Sequence, residues 1–195
     1  MIMTKAQNHM FASDVHGDFT CAEKMMKAFE REGAERLVLL GDLLYHGPRN
    51  DLPEGYAPKK TIQLLNENKD KLLCVRGNCE AEVDSMVLSF PVMADYAIIF
   101  LDGCMCYITH GHHIGENNAS AIPAGDILIN GHTHVYASKE LDCGVLYLNP
   151  GSVSLPKEGK ARSYMIYENG VFEIKELDSG EVLLKTDIRE WKDRK

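Results

Sequence analysis

The sequence predicts an α/β protein in which two β-sheets pack against each other and helices cover the outside. Two observations predict this fold class. In the first part of the chain, short apolar runs alternate with helical patterns, which is typical of parallel strands joined by right-handed crossovers. From Val92 onward, the apolar runs follow each other more closely, and turn signals separate several of them. This change predicts a second, largely antiparallel sheet, so that the sheets and helices form a layered sandwich.

The first part contains three predicted strands and two predicted helices. Thr20 to Glu32 has apolar residues three and four positions apart, which predicts a helix with one buried face. Thr20 and Glu23 have the spacing of a capping box at the start of this helix, and Gly33 can end it. A second helix is predicted over Lys59 to Asn66. The strands are predicted at Met10–Ser13, Arg36–Leu40 and Leu72–Val75.

The later part contains six predicted strands. Asp102-Gly103 is a turn signal between the first two of them, and Glu168-Asn169-Gly170 predicts a hairpin between the last two. The strands are predicted at Tyr96–Leu101, Met105–Thr109, Ile127–Asn130, Val145–Leu148, Tyr164–Tyr167 and Val171–Ile174.

Length and charge limit the classes of protein that the sequence can encode. The chain has 195 residues, the size of one domain, so we expect a single domain over residues 1–195. The net charge is −8, from 21 Lys and Arg against 29 Asp and Glu. A field of this sign repels phosphate backbones, so we expect no stable complex with nucleic acid.

Location is predicted from cysteines and apolar runs. No apolar run approaches the roughly 18 residues of a membrane-spanning helix, and the N-terminus lacks the apolar stretch of a signal peptide. We therefore expect no membrane association. The cysteines form no CxxC pair, which favours a reducing compartment and a cytoplasmic protein. They are Cys21, Cys74, Cys79, Cys104, Cys106 and Cys143.

Polar residues gather where five of the predicted strands end. Ligands of open α/β sheets bind beyond the carboxyl ends of the strands, so we expect these segments to converge on one site. Asp, Asn and His suit Mn, Fe or Zn, and seven such side chains are about right for two ions. Side chains two apart on an extended segment, as in Asp14-x-His16 and His132-x-His134, would point the same way. The segments are Asp14–Gly17, Gly41–Asp42, Gly77–Glu80, His110–His112 and Gly131–His134.

This series of motifs resembles the calcineurin-like metallophosphoesterases. Four longer segments resemble the bacterial YfcE-type phosphodiesterases, a small branch of that superfamily. They are Gly41–Asn50, Leu52–Pro58, Arg76–Glu80 and Asn149–Ser152. The resemblance extends from about Phe11 to Ser152. It implies a four-layer α/β/β/α sandwich and the hydrolysis of small-molecule phosphodiesters.

The resemblance also implies a dinuclear metal site in which a hydroxide bridging two divalent ions attacks phosphorus. Asp42 would bridge the ions, which are expected to be Mn, with Zn, Fe or Ni as alternatives. The first ion would also be bound by Asp14, His16 and His134, and the second by Asn78, His110 and His132.

One position departs from the superfamily pattern. Cys79 stands where most members carry a histidine that stabilises the transition state or protonates the leaving group. A thiol with a pKa of about 8.5 is a poor acid at neutral pH, so His46 is a candidate replacement. Arg49 and His112 are candidate substrate-binding residues, as is Asn78.

Two other functions remain open. The same site could serve a phosphomonoesterase, and a retromer subunit with this fold acts mainly as a binding scaffold. Competent ligands at all seven positions favour an enzyme over a scaffold with vestigial activity. The oligomeric state is also open, with a homo-oligomer as one alternative.

Overall fold

Two mixed β-sheets lie face to face in the structure, a computed structural model that describes residues 8–193. In chain order, the elements are β1 (Asn8–Ala12), α1 (Phe19–Arg31), β2 (Arg36–Leu39), α2 (Pro58–Glu67), β3 (Leu72–Cys74), α3 (Asp84–Val87), β4 (Tyr96–Leu101), β5 (Cys104–Thr109), β6 (Ile127–Ile129), β7 (Ala137–Glu140), β8 (Leu146–Asn149), β9 (Ser163–Glu168), β10 (Val171–Glu176), β11 (Val182–Asp187) and α4 (Ile188–Asp193).

The first sheet has the strand order β11-β10-β9-β1-β2-β3. As predicted, β1, β2 and β3 are parallel and are connected through α1 and α2. The predicted hairpin joins β9 to β10, but β9 pairs antiparallel with β1. The hairpin therefore extends the first sheet and is not part of the second.

The second sheet has the order β4-β5-β6-β8-β7. The prediction of a largely antiparallel sheet is wrong, because β5, β6 and β8 are parallel and only β4 and β7 run antiparallel to their neighbours. Every residue of β6 and β8 is buried. Continuous burial is typical of parallel strands that are covered on both faces.

The layers of the sandwich enclose three apolar cores. The first lies between the first sheet and the helices α1 and α2, and the second lies between the two sheets. A smaller third core covers the outer face of the second sheet beneath a 3-10 segment, Glu116–Ala121. The predicted α/β/β/α architecture is confirmed, with this short segment in the fourth layer. Within residues 8–193, no helix is both long and apolar enough to cross a lipid bilayer.

The sequence predicted the C-terminal end of α1 correctly but not its N-terminal cap. Its N-cap is Asp18, whose carboxylate accepts a hydrogen bond from the Cys21 backbone N–H at 2.9 Å. The predicted capping box of Thr20 and Glu23 is wrong, because Asp18 supplies the acceptor two residues earlier. Gly33 follows the helix with φ +61°, the left-handed conformation that favours glycine after a helix end.

All six cysteines are free in the structure, and four of them are buried. We therefore expect thiol titration of the unfolded, freshly purified protein to find six thiols, because the described fold contains no disulfide. A count of four or fewer, in protein without oxidative damage by mass spectrometry, would contradict this prediction and the expected reducing compartment.

Candidate metal centre

The five polar segments meet at the carboxyl ends of the five parallel strands β1, β2, β3, β5 and β6. Backbone hydrogen bonds join neighbouring segments directly. The backbone N–H of Asp14 donates to Gly41 O at 3.1 Å, and that of Gly131 donates to His110 O at 2.9 Å. Across the two sheets, the backbone N–H of His132 donates to a carboxylate oxygen of Asp14 at 3.0 Å. The main chain therefore brings the predicted side chains together, as the topology required.

Three of these side chains form a first, fully buried group. Asp14 Oδ1 lies 3.2 Å from His134 Nε2 and 3.6 Å from His16 Nε2. The two imidazole nitrogens are 3.2 Å apart. One carboxylate oxygen and two ring nitrogens thus surround a single point.

A second group lies beside the first. His110 Nε2 is 3.0 Å from Asn78 Oδ1 and 3.2 Å from His132 Nδ1. His110 is buried, whereas His132 is partly exposed and Asn78 is exposed. This group therefore forms the solvent side of the centre.

Asp42 lies between the two groups. Its Oδ2 is 3.8 Å from His16 Nε2 in the first group, and its Oδ1 is 3.5 Å from His110 Nε2 in the second. The Cys79 backbone N–H donates to Oδ1 at 2.8 Å and fixes the orientation of the carboxylate. One carboxylate therefore faces both groups.

The hydrogen-bond partners of three histidines assign their tautomers, and these tautomers fit cation binding. Each Nδ1 faces a backbone carbonyl, which can only accept, so the proton of the neutral ring is on Nδ1 and Nε2 carries a lone pair. The carbonyls are those of Tyr45, Leu155 and Leu40, at 2.8, 2.5 and 2.6 Å from Nδ1 of His16, His134 and His110.

The lone pairs of His16 and His134 consequently face each other and the Asp14 carboxylate. Asp14 Oδ1 is buried and accepts no hydrogen bond from the described residues. A proton on one Nε2 would satisfy one pair of acceptors, whereas a divalent cation would satisfy all three atoms. Such donor sets, with the second nitrogen held by a carbonyl, are typical of histidine metal sites.

The charges of Asp14, His16 and His134 in the first group depend on one another. Burial by itself would raise the pKa of Asp14, but the facing rings of His134 and His16 hold that pKa well below its usual range. For His16 the signs are reversed. Burial by itself would lower the pKa of His16, but the neighbouring Asp14 outweighs the effect of burial and raises that pKa. Without a cation, the carboxylate can be compensated only by protonated imidazole, so protons and metal ions compete for the group.

Most candidate ligands have a backbone conformation that L-amino acids rarely adopt. The prediction that Asp14-x-His16 and His132-x-His134 lie on extended segments is wrong, because the chain turns sharply at both. A left-handed conformation costs roughly 1–2 kcal/mol per non-glycine residue, so strain concentrates in the candidate site. The residues are Asp14, His16, Asp42, His132 and His134, with φ of 57°, 50°, 57°, 67° and 61°.

Glu80 supports the centre and was not among the predicted site residues. It is 4% exposed, and its carboxylate accepts backbone hydrogen bonds from Asp42, Leu43 and Gly77. A Cβ at Gly77 would collide with both Glu80 and Asp42. The loop after β3 can therefore approach Asp42 only with glycine at this position, and Glu80 ties that loop to the loop after β2.

Glu80→Gln is expected to lower stability by about 1–3 kcal/mol, because its amide nitrogen would face a backbone N–H in a buried site. For a protein of this size, that corresponds to a fall of roughly 3–10 °C in the thermal midpoint, measured by circular dichroism. Glu82→Gln is the matched control, since Glu82 is exposed two residues later. Equal midpoints for the two variants would contradict the role assigned to Glu80.

The motif Asn149–Ser152 supports the candidate site by binding the backbone of its loops. The hydroxyls of Ser152 and Ser154 both donate to Asp14 O, at 2.8 and 2.7 Å. Asn149 Nδ2 donates to Gly131 O at 2.8 Å in the neighbouring loop. These contacts hold the strained turns after β1 and β6 in place.

An open cleft leads from the centre to solvent. Cys79 and Arg49 line it, together with Lys157, which the sequence analysis missed. The backbone N–H of Lys157 donates to His134 O at 3.1 Å, so this lysine is tied to a candidate ligand. No motif marks Lys157 in the sequence.

The Cys79 thiol at the wall of the cleft stays protonated. Burial raises the pKa of this thiol, and the neighbouring Asp42 raises it further.

His46 and His112 lie beside the cleft and do not line it. The His46 ring packs edge-on against Tyr45 and Tyr56, with centroid distances of 4.7 and 5.5 Å. The His112 ring lies against His110, with centroids 5.4 Å apart. Burial lowers the pKa of His112 to about 4, so this ring is neutral near pH 7. Neither imidazole therefore lines the cleft that leads to the centre.

The chain is similar to known proteins along most of its length. The chain is 42% identical over 179 residues to the phosphodiesterase YfcE of Escherichia coli, covering 92% of this chain and 97% of that protein. The solved structure of E. coli YfcE, described as a phosphoesterase, superimposes with a TM-score of 0.89 and covers 93% of this chain and 99% of that one.

A more distant structure shares the fold alone. Vps29 from Entamoeba histolytica, solved with zinc, is 20% identical, with a TM-score of 0.61 over 93% of this chain and 99% of that one. The family model of the calcineurin-like phosphoesterase superfamily domain matches residues 8–170. That match spans all five loops of the candidate centre, and the chain therefore belongs to the calcineurin-like phosphoesterase superfamily.

Proposed function

We propose that this protein is a metal-dependent phosphodiesterase that hydrolyses small phosphodiesters at a centre of two divalent ions. The observation that carries the proposal is Asp42, whose two oxygens face two separate groups of donor atoms. The 42% identity to a phosphodiesterase supports the class of bond that is cleaved.

Each group of donors would hold one ion, and Asp42 would be shared between them. When bound, the two ions would supply a hydroxide for attack on phosphorus and would stabilise charge on the phosphoryl oxygens. Mixed carboxylate, amide and imidazole donors suit Mn, Zn, Fe and Ni, and we propose Mn. The first ion would be held by Asp14, His16 and His134, and the second by Asn78, His110 and His132.

The chain's own residues would bind and orient the phosphate. Arg49 and Lys157 are the cations that line the cleft, in a chain whose net charge is −8. Their positive charge would attract an anionic ester to this one opening and steer its free oxygens toward the centre. The Cys79 thiol, at the wall of the cleft, would lie against the ester group.

Chelation is expected to abolish hydrolysis, and added Mn is expected to restore it, because the buried donors need cations to satisfy them. The measurement is the turnover of a nitrophenyl diester and of the corresponding monoester by protein stripped of metal and reloaded with Mn, Zn, Fe, Ni or Mg. Elemental analysis gives the metal content of each sample.

Unchanged turnover in protein that elemental analysis shows to be free of metal would contradict the metal-dependent mechanism. Faster turnover of the monoester than of the diester would instead favour the phosphomonoesterase alternative.

The free cysteines support a location in a reducing compartment such as the cytoplasm.

A further inference from the structure

A second cavity, here named the side cavity, lies next to the metal centre. It is enclosed by the loop after β5, the 3-10 segment Glu116–Ala121 and the loop after β6, and its volume is about 430 Å³. This volume lies in the range of small-molecule sites. His132 lines both the side cavity and the cleft. The side cavity and the cleft therefore adjoin at His132, close to the candidate metal ligands.

The cleft and the side cavity differ in charge. The cleft is lined by Arg49 and Lys157. Among the described residues that line the side cavity, Glu116 is the one carboxylate, and Lys139 compensates its charge at 2.7 Å. An anionic phosphate is therefore favoured in the cleft, and an uncharged polar group is favoured in the side cavity.

Polar atoms of the side cavity lack partners. Asn130 is 1% exposed, and its Oδ1 accepts from the Tyr147 hydroxyl at 3.0 Å. Its Nδ2 donates to none of the described residues and lies beside Gly111, where a Cβ would approach it to 3.1 Å. The buried Nδ1 of His112 is also without a partner among residues 8–193. The Asn130 Nδ2 group at the cavity wall can therefore donate to a ligand that carries a carbonyl oxygen.

The side cavity also has an aromatic wall. The rings of His112 and His113 lie with their centroids 4.0 Å apart and both line it. Proteins recognise nucleobases by stacking them on such rings and by hydrogen bonds from amide and imidazole groups to the base edge.

We propose that the side cavity binds the nucleobase of the substrate, so that the substrate class is a nucleoside phosphodiester. The phosphate lies at the metal centre, and the nucleoside is the ester arm that remains on phosphorus during cleavage. This inference rests on the proposed phosphodiesterase function.

The test compares two diesters with the same leaving group, thymidine 5′-(4-nitrophenyl) phosphate and methyl 4-nitrophenyl phosphate. The expected kcat/KM is about tenfold or more higher for the nucleoside diester, since base stacking and hydrogen bonding supply the difference. Asn117→Trp fills the side cavity from its exposed rim and is expected to bring the two values within about twofold. Ser120→Trp is the matched control, because Ser120 is exposed on the same segment and does not line the cavity.

Binding of thymidine alone supplies a readout that does not depend on catalysis. Saturation-transfer NMR on chelated protein is expected to show contact with the base, lost in Asn117→Trp and kept in Ser120→Trp. Turnover of both diesters at equal rates, unaffected by Asn117→Trp, would overturn the nucleobase site and leave the phosphodiesterase intact. If neither diester is cleaved with any metal, the proposed function fails, and the NMR result alone decides whether the cavity binds a nucleobase.

Discussion

Asp42→Asn is expected to lower phosphodiester hydrolysis by more than about 100-fold, since even residues behind a metal ligand contribute 10- to 100-fold to metal affinity or activity. The Asp42 carboxylate faces both groups of donors, with Oδ2 3.8 Å from His16 Nε2 and Oδ1 3.5 Å from His110 Nε2. Two cations close together repel each other, and a shared negative charge offsets that repulsion. The neutral amide removes this charge, so the metal content is expected to fall below the proposed two ions per chain.

The substitution is designed to leave the fold unchanged. Asparagine tolerates the left-handed conformation of residue 42, where φ is 57°, and its amide oxygen can still accept the Cys79 N–H. Asp51→Asn is the matched control, because Asp51 is an exposed aspartate in the same loop. Full activity together with two bound ions in Asp42→Asn would show that Asp42 does not bridge the ions.

Much of the candidate site could be predicted because its polar residues directly follow strands. A strand that ends in Asp or His is visible as an apolar run followed by a polar residue, and the parallel order of β1, β2 and β3 then brings the segments to one edge. The same rule applies to the second sheet, where His110 follows β5 and His132 follows β6. It therefore predicted that the loops of both sheets meet at one site.

The means by which the ligands converge could not be predicted in the same way. Side-chain periodicity suggested extended segments, but the turns at Asp14 and His132 depend on contacts distant in sequence. Ser152 and Ser154 hold the carbonyl of Asp14 from a loop about 140 positions away. Glu80 was hidden for a similar reason, since its partners are backbone N–H groups of another loop, which no sequence pattern displays.

Strand pairing was the other limit. The run at Tyr164–Tyr167 predicts a strand but does not identify its neighbour, and β9 pairs with β1 at the opposite end of the chain. The polar strand β7 escaped prediction because two of its four residues are exposed and it has little apolar alternation. Local sequence therefore predicted most elements, whereas their order in the sheets is decided by long-range packing.

Cys79→His is expected to raise the activity on alkyl diesters, such as cyclic nucleotides, by about tenfold or more relative to the activity on nitrophenyl diesters. General-acid help is worth typically 10²–10⁴-fold for an alkoxide leaving group, whereas nitrophenolate needs little protonation. The Cys79 side chain lines the cleft and is close to both Asp42 and His16, so an imidazole there would reach the departing oxygen. The measurement is the ratio of kcat/KM for the two substrate types at equal metal occupancy.

Two further variants identify the group that protonates the leaving oxygen. Cys79→Asn has a side chain close in size to histidine but no acidic proton, so a gain shared by both variants would reflect shape and not acid catalysis. His46→Ala tests the other candidate, whose ring packs between Tyr45 and Tyr56 outside the lining of the cleft. If Cys79→His leaves the ratio unchanged while His46→Ala selectively lowers alkyl turnover, His46 is the acid and Cys79 is structural. If neither changes it, both assignments fail, and the proton comes from water.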